Sequence, residues 1–183
     1  MNKQSEQELI ERIKKNPIIF RDDTIEQTEK ICLGVVSEYP TLLEFVKVQT
    51  EAICLTVIKE HPFMLCYVKD QTEKICLEAV KRDGSAIEFV KDKTDEIYKE
   101  ALNNNFKASI PFVTFERNST AMIVLEVFVK KNIKNKIILT KILNKFSKDQ
   151  EILNFYTKHK LWNYVDFYKL NDNTLMPQYG MVL

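Results

Sequence analysis

The sequence contains few residues that interrupt helices and few that build common active sites. Three glycines and five prolines occur in 183 residues, against abundant leucine, isoleucine, lysine and glutamate, which favours helix over sheet. The glycines are isolated, so there is neither a phosphate-binding loop nor a dinucleotide-binding fingerprint. With only two histidines and no recognisable catalytic constellation, the sequence predicts a non-enzymatic, all-α protein without a cofactor or a metal.

Long apolar runs are also missing. The longest, Ala121–Val129, is short and contains Glu126, whereas a membrane-spanning helix needs about 20 apolar residues. No transmembrane segment is therefore predicted. The first residues, Met1–Phe20, are polar and lack the apolar centre of a secretory signal. Together with four cysteines, this predicts an intracellular protein in a reducing compartment; nothing in the sequence indicates its oligomeric state.

The chain does have an internal repeat of 22 residues. The segment Gln27–Leu33 recurs letter for letter at residues 71–77, a close variant begins at Gln49, and a degenerate copy begins at Lys93. A fixed period of this length is typical of proteins built from stacked units. The four predicted copies are residues 27–48, 49–70, 71–92 and 93–114.

Each copy divides into two helical pieces. The first begins at a threonine suited to cap a helix, and an acidic residue follows in the first turn, where the helix dipole favours it. Apolar positions then mark one face of a helix, as at Ile31, Cys32 and Val35. The second piece, which follows Pro40 in the first copy, predicts a helix of about two turns. Because one such unit buries too little to fold alone, the pattern predicts a short α-solenoid of 22-residue helical hairpin repeats.

The regions on either side of the array are predicted to cap it. Residues 1–26 form an N-terminal cap, in which Ile18–Phe20 is similar to a shortened second piece. In the fourth copy, Asn103–Asn105 carries one extra residue, and Pro111 weakens the helix that follows.

Residues 115–183 are predicted to form a helical C-terminal cap packed on the array, ending in a loop tail from Asn171. Ser119 or Thr120 is the predicted cap of its first helix, and Ser147 that of its third. The three predicted helices cover Ala121–Lys131, Lys136–Phe146 and Lys148–His159.

The best-preserved copy, Gln71–Asp92, resembles the domain-of-unknown-function 4116 repeat family. Lys81–Ala86 and Glu88–Asp92 carry the likeness most clearly, which extends over residues 27–114. The resemblance implies a repetitive α-helical protein and brings no catalytic residues with it. Pro40 and Pro62 depart from the pattern of the family, which has glycine at this position.

Three cysteines share one repeat position, at Cys32, Cys54 and Cys76. Equivalent positions of stacked helices are roughly 8–10 Å apart, too far for a disulfide or a shared metal ion. These cysteines are therefore predicted to pack in the core. Cys66 takes the place of a glutamate in other copies, so it is predicted to be exposed. A deep pocket that brings Cys66 or His159 together with polar groups would instead indicate an enzyme.

The leading functional prediction is a protein–protein interaction module, because stacked repeats present extended surfaces built from positions that vary between copies. A ladder of lysines at 22-residue spacing adds to this surface, although a solvated face is the simpler interpretation of that ladder. The predicted partner-binding residues are Glu44, Lys47, Cys66, Lys69, Glu88 and Lys91.

The alternative prediction is binding to nucleic acid or to another anionic surface. Nine lysines oppose two acidic residues between positions 130 and 160, and basic helices bind phosphates. Arginine, which dominates base recognition, is missing from this segment, so nucleic acid is the less favoured partner. The predicted anion-binding residues are Lys130, Lys131, Lys134, Lys136, Lys141 and Lys145.

Overall fold

The protein is represented by a computed structural model that describes residues 3–166 and 169–171. Every regular element in these ranges is helical, so the all-α prediction is confirmed there. The chain divides into two compact units, Met1–Pro111 and Phe112–Leu183. No helix within the described ranges is long and apolar enough to cross a membrane.

In the first unit, the first pieces of the repeats form α-helices, as predicted. Each begins directly after a threonine whose hydroxyl oxygen accepts a hydrogen bond from the amide three residues later, at 3.3–3.4 Å. Buried isoleucine and cysteine follow in each of the first three copies. These four helices are α2 (Glu29–Val36), α3 (Glu51–Glu60), α4 (Glu73–Arg82) and α5 (Asp95–Ser109); helix α1 (Lys3–Lys15) precedes them in the N-terminal cap.

The second pieces are short helices, as predicted, and they are of the 3-10 type. A segment of six residues makes more backbone hydrogen bonds with i to i+3 pairing than with i to i+4 pairing. Leu42, for example, donates its amide to the carbonyl oxygen of Tyr39 at 2.9 Å. Pro40 and Pro62 start two of these helices, where a missing amide costs nothing. They are η1 (Pro17–Arg21), η2 (Pro40–Phe45), η3 (Pro62–Tyr67) and η4 (Gly84–Phe89).

The elements of the first unit pack in chain order. Each α-helix from α2 to α4 contacts the α-helices before and after it, and η1 to η4 contact one another in sequence. Between the two rows lies a core of aliphatic side chains; Ile31, Leu43 and Val57 are at most 1% exposed. In the N-terminal cap, Phe20 of η1 is fully buried, as its likeness to a second piece predicts.

The fourth copy breaks at Asn105, where α5 is kinked (φ −137°, ψ 85°). Asn105 lies 22 residues after Asp83, which precedes η4 with similar angles, so the predicted extra residue does not lie in the asparagine run. The extra residue lies after the kink, in the segment where Ser109 is fully buried. The Ser109 hydroxyl lies 3.0 Å from the Gly84 carbonyl oxygen and 2.9 Å from that of Ala101.

The second unit contains η5 in part (Ile110–Phe112), three α-helices and η6 (Leu161–Tyr164). Its buried centre includes Tyr156, whose hydroxyl donates to the Leu139 carbonyl oxygen at 2.7 Å. Trp162 lies beside that ring, with centroids 5.4 Å apart. The α-helices are α6 (Asn118–Lys131), α7 (Lys136–Lys145) and α8 (Gln150–Lys158).

Two predicted caps in this unit are wrong. Helix α6 begins after Arg117 rather than after Ser119 or Thr120, and no side-chain cap is formed there. Helix α8 is capped by Asp149, whose carboxylate accepts from the Ile152 amide at 3.1 Å, and not by Ser147. A carboxylate is the stronger partner for a helix N-terminus because it also interacts with the dipole. The predicted loop tail lies outside the described residues from position 172 onward.

We predict that Gly84→Ala destabilises the protein by about 1–3 kcal/mol, because the added methyl group overpacks the site. Its Cβ would lie 2.5 Å from the Ala101 carbonyl oxygen and 2.9 Å from the Asn105 amide nitrogen, and both are backbone atoms. Urea denaturation measures the free energy of unfolding.

The matched control is Gly34→Ala, within helix α2. Its Cβ would meet only the Ile10 side chain, at 3.0 Å and beyond, and alanine favours a helix interior by about 1 kcal/mol over glycine. We expect this variant to be neutral or stabilised. Equal loss of stability in both variants would contradict a close backbone approach specific to Gly84.

Candidate functional site

The glutamine that opens each of the first three copies bonds to the backbone at the end of its own copy. Gln49 donates from Nε2 to the carbonyl oxygens of Leu43 (2.8 Å) and Tyr67 (2.9 Å), and its Oε1 accepts the Lys69 amide at 2.8 Å. Gln27 and Gln71 make the equivalent bonds to residues 18 and 20 positions later. These three side chains therefore hold the end of each 3-10 helix to the start of its own copy. Gln49 and Gln71 also bond to the preceding copy, at the Leu43 and Leu65 carbonyl oxygens.

The threonine and the glutamate beside this glutamine form a second link. Besides capping its own helix, Thr50 donates its hydroxyl to the Glu29 carboxylate at 2.7 Å, and Thr94 donates to Glu73 at 2.8 Å. Thr28 makes the same bond to Glu6 of α1, at 2.7 Å; this bond is the largest cause of a lowered Glu6 pKa. The repeated Gln-Thr-Glu letters thus serve the stacking of the first unit.

The lysine ladder is also engaged inside the first unit. Lys69 Nζ donates to the Val46 carbonyl oxygen at 2.6 Å, and Lys91 Nζ donates to that of Lys69 at 2.8 Å. Lys47 Nζ donates to the Asp23 carbonyl oxygen at 2.6 Å. The Lys69 and Lys91 ammonium groups therefore cross to the preceding copy, and that of Lys47 crosses to the N-terminal cap. Spacing alone did not indicate this role. Partner binding by these three lysines stays a prediction.

The 3-10 helices place their second and fifth residues on one exposed side, because side chains three residues apart eclipse in this type of helix. The predicted partner-binding residues Glu44, Cys66 and Glu88 occupy the fifth position, and all are exposed. The second position was missed, because the sequence pattern did not distinguish a 3-10 helix from an α-helix. We call this surface the variable face; its residues are Ile18, Arg21, Thr41, Glu44, Phe63, Cys66, Ser85 and Glu88.

The variable face carries unusual apolar exposure and a pocket. Ile18 is 66% exposed and Phe63 is 42% exposed, and the Phe63 ring stands edge-on to Phe89, with centroids 6.1 Å apart. A pocket of about 190 Å³ lies between η1 and η2; Ile18, Arg21 and Thr41 are among its lining residues. The Arg21 guanidinium lies 4.4 Å from the centre of the Phe45 ring, so the two side chains form a cation–π contact within the chain.

The cysteines divide by burial as predicted. Cys32, Cys54 and Cys76 are 1–3% exposed, whereas Cys66 is exposed. Burial raises the pKa of the Cys32 thiol to about 11 and also raises the pKa of the thiols of Cys54 and Cys76. No cluster of three or more metal-ligating side chains occurs among residues 3–166 and 169–171.

In the second unit, all six predicted anion-binding lysines are exposed. Residues 112–183 contain eleven lysines and arginines against six acidic residues, a net charge of +5. Lys134 Nζ lies 5.0 Å from the centre of the Tyr164 ring, and Lys141 Nζ lies 5.3 Å from that of Phe115. Lys136 is paired with Asp166 at 3.9 Å. The predicted cationic character of this region is therefore present at its surface, while anion binding stays a prediction.

His159 lines an open pocket of about 270 Å³ in the same unit, beside Lys134, Lys160 and Asn163. Its imidazole packs against the Phe155 ring, with centroids 4.3 Å apart. No cysteine, serine or acidic side chain is among the lining residues of this pocket, so it does not bring a thiol, a serine hydroxyl or a carboxylate to His159. Cys66 lies in the first unit, on the variable face.

Comparison of the chain with protein-family models, with curated proteins and with solved structures finds no match. The likeness of residues 27–114 to the repeat family therefore stays a prediction.

We predict that Gln49→Ala lowers the free energy of unfolding by about 2–3 kcal/mol. The substitution leaves the Lys69 amide and the Leu43 and Tyr67 carbonyl groups without this partner, and unsatisfied, partly buried polar groups are costly. Gln7→Ala is the control, because Gln7 is exposed and its bond to Glu11 is long, at 3.4 Å; we expect a change within about 0.5 kcal/mol. A similar, small effect at both positions in urea denaturation would contradict the bridging role.

A second prediction concerns thiol reactivity. In the native protein, a maleimide reagent should modify Cys66 quickly and the other three cysteines only on unfolding, because those three are buried. The Cys66 rate should rise about tenfold for each pH unit below the thiol pKa, as the thiolate fraction grows. Mass spectrometry of the native and urea-unfolded protein counts the modified thiols. Fast native labelling that persists in a Cys66→Ser variant would contradict the packing of the core.

Proposed function

We propose that the first unit is a short α-solenoid that works as a protein–protein interaction module, without catalysis. The observation that supports this proposal is that constant and varying positions of the repeat make different contacts. Side chains that are constant between copies, such as Gln49 and Thr50, bond to neighbouring copies. Glu44, Cys66 and Glu88, which share one varying repeat position, are exposed on the variable face.

The chemistry of the variable face favours a protein partner with basic and apolar side chains. Glu44 and Glu88 are exposed carboxylates, and residues 1–111 contain twenty acidic against sixteen basic residues. Exposed Phe63 and Ile18 offer apolar contact, which suits the aromatic and aliphatic anchors of protein interfaces. The Arg21–Phe45 contact within the chain exemplifies how an arginine of a partner would bind Tyr67 or Phe89.

Site-specific cross-linking tests this proposal. Cys66 is the exposed thiol of the described residues, so a benzophenone maleimide attached there places a photo-reactive group on the variable face. We expect a discrete cross-linked protein from a lysate of the expressing cells. Phe63→Ala combined with Glu44→Lys and Glu88→Lys should lower its yield about tenfold, the usual effect of removing interface anchors.

The control moves the probe to the α-helical row, with Cys66→Ser and Lys59→Cys, because Lys59 is exposed on α3. We expect this probe to lose the discrete product. Equal cross-linking from both positions, or a yield that the triple variant does not change, would reject binding through the variable face.

A further inference from the structure

Helix α7 of the second unit presents a cationic stripe with an exposed aliphatic residue near its N-terminal end. Its buried side is formed by Leu139, Ile142 and Leu143, each fully buried. Residues at positions 137, 141 and 145 are four apart and therefore share one face of the helix. We call this face the lysine stripe; it consists of Ile137, Lys141 and Lys145, with exposed Lys134, Lys136 and Lys148 around it.

Ile137 is the feature that distinguishes one anionic partner from another. It is 77% exposed, more than any other large hydrophobic side chain in the described ranges. A nucleic-acid backbone offers phosphates and sugars to this side chain, whereas a lipid interface removes it from water. Basic residues combined with an inserted aliphatic side chain are the pattern of helices that lie on anionic membranes.

The charge around the lysine stripe is positive, and the nearby acidic side chains with described contacts are engaged with other groups. Asp166 is the acidic residue paired with Lys136, and it also pairs with Lys169 at 3.6 Å. The other acidic side chain with described contacts near this segment, Asp149, caps α8 and accepts a bond from Asn118 at 3.2 Å. The ammonium groups of Lys141 and Lys145 remain at the surface.

From the spacing, the exposure of Ile137 and the charge, we propose that the lysine stripe docks the protein on an anionic phospholipid surface. Lysines contact the lipid phosphates and carboxylates, and Ile137 enters the interface between head groups. The chain peripherally binds the membrane in this proposal and does not span it. This role goes beyond the protein binding proposed for the first unit and uses other residues, so either proposal can fail alone.

Sedimentation of the full-length protein with vesicles tests the proposal. One set of vesicles is phosphatidylcholine, and the other contains roughly 30 mol% phosphatidylserine, an anionic lipid. We expect binding to the second set only, weakening steeply between about 50 mM and about 200 mM salt as the charges are screened. Lys141→Gln with Lys145→Gln should weaken the binding by roughly 25-fold, at roughly fivefold per lysine.

The decisive variant is Ile137→Ser, which keeps every charge and should weaken vesicle binding about tenfold through lost apolar burial. Two controls in the first unit match these changes: Lys99→Gln with Lys107→Gln alters the same net charge, and Val48→Ser alters another exposed aliphatic residue, 73% exposed. Both controls should bind within twofold of the unmodified protein, an allowance set by ordinary surface effects.

Two results would overturn the proposal. One is any failure to prefer the anionic vesicles, either as equal binding to both sets or as no binding to either. The other is a gel shift of DNA at the same salt that depends on Lys141 and Lys145 but not on Ile137, which would assign the stripe to nucleic acid instead.

Discussion

The bonds from each repeat glutamine to the backbone are the interaction on which the first unit depends; those of Gln49 and Gln71 reach two copies. A 3-10 helix of six residues and the link after it cannot pair all of their own amides and carbonyl groups, and buried unpaired groups are costly. Gln49 meets three of these groups at once. The same bonds recur 18 and 20 residues after each glutamine. Each glutamine therefore connects the two ends of its own copy.

The end of the regular array follows from the same constraint. The fourth copy has Lys93 where the others have glutamine, and an ammonium group cannot accept a bond from a backbone amide. Lys93 Nζ instead donates to the Val90 carbonyl oxygen. The pattern of buried residues shifts after Asn105, where α5 is kinked. The buried Ser109 hydroxyl then lies within hydrogen-bond distance of the Gly84 carbonyl oxygen. Loss of the glutamine and loss of the register thus occur in the same copy.

The sequence predicted those features that arise from local chemistry. Thr28 caps a helix because of its own hydroxyl, and Cys32 is buried because it lies on an apolar stripe; both follow from spacing alone. The sequence could not separate 3-10 from α-helix at Pro40–Phe45, since both satisfy the same short apolar pattern. As a result, Phe63 was missed as a surface residue. Nor could it show that Lys69 bonds to Val46, because a contact between neighbouring copies depends on how they pack.

The central claim is that the glutamine side chains hold the ends of the 3-10 helices in place through their bonds to the backbone. It is tested most directly by amide hydrogen exchange at Lys47, Lys69 and Lys91, residues that are exposed but whose amides donate to glutamine Oε1 at 2.7–3.0 Å. The account predicts that these three amides exchange slowly, with protection close to that of the buried helices. Exchange of all three at the rate of an open surface loop would contradict it.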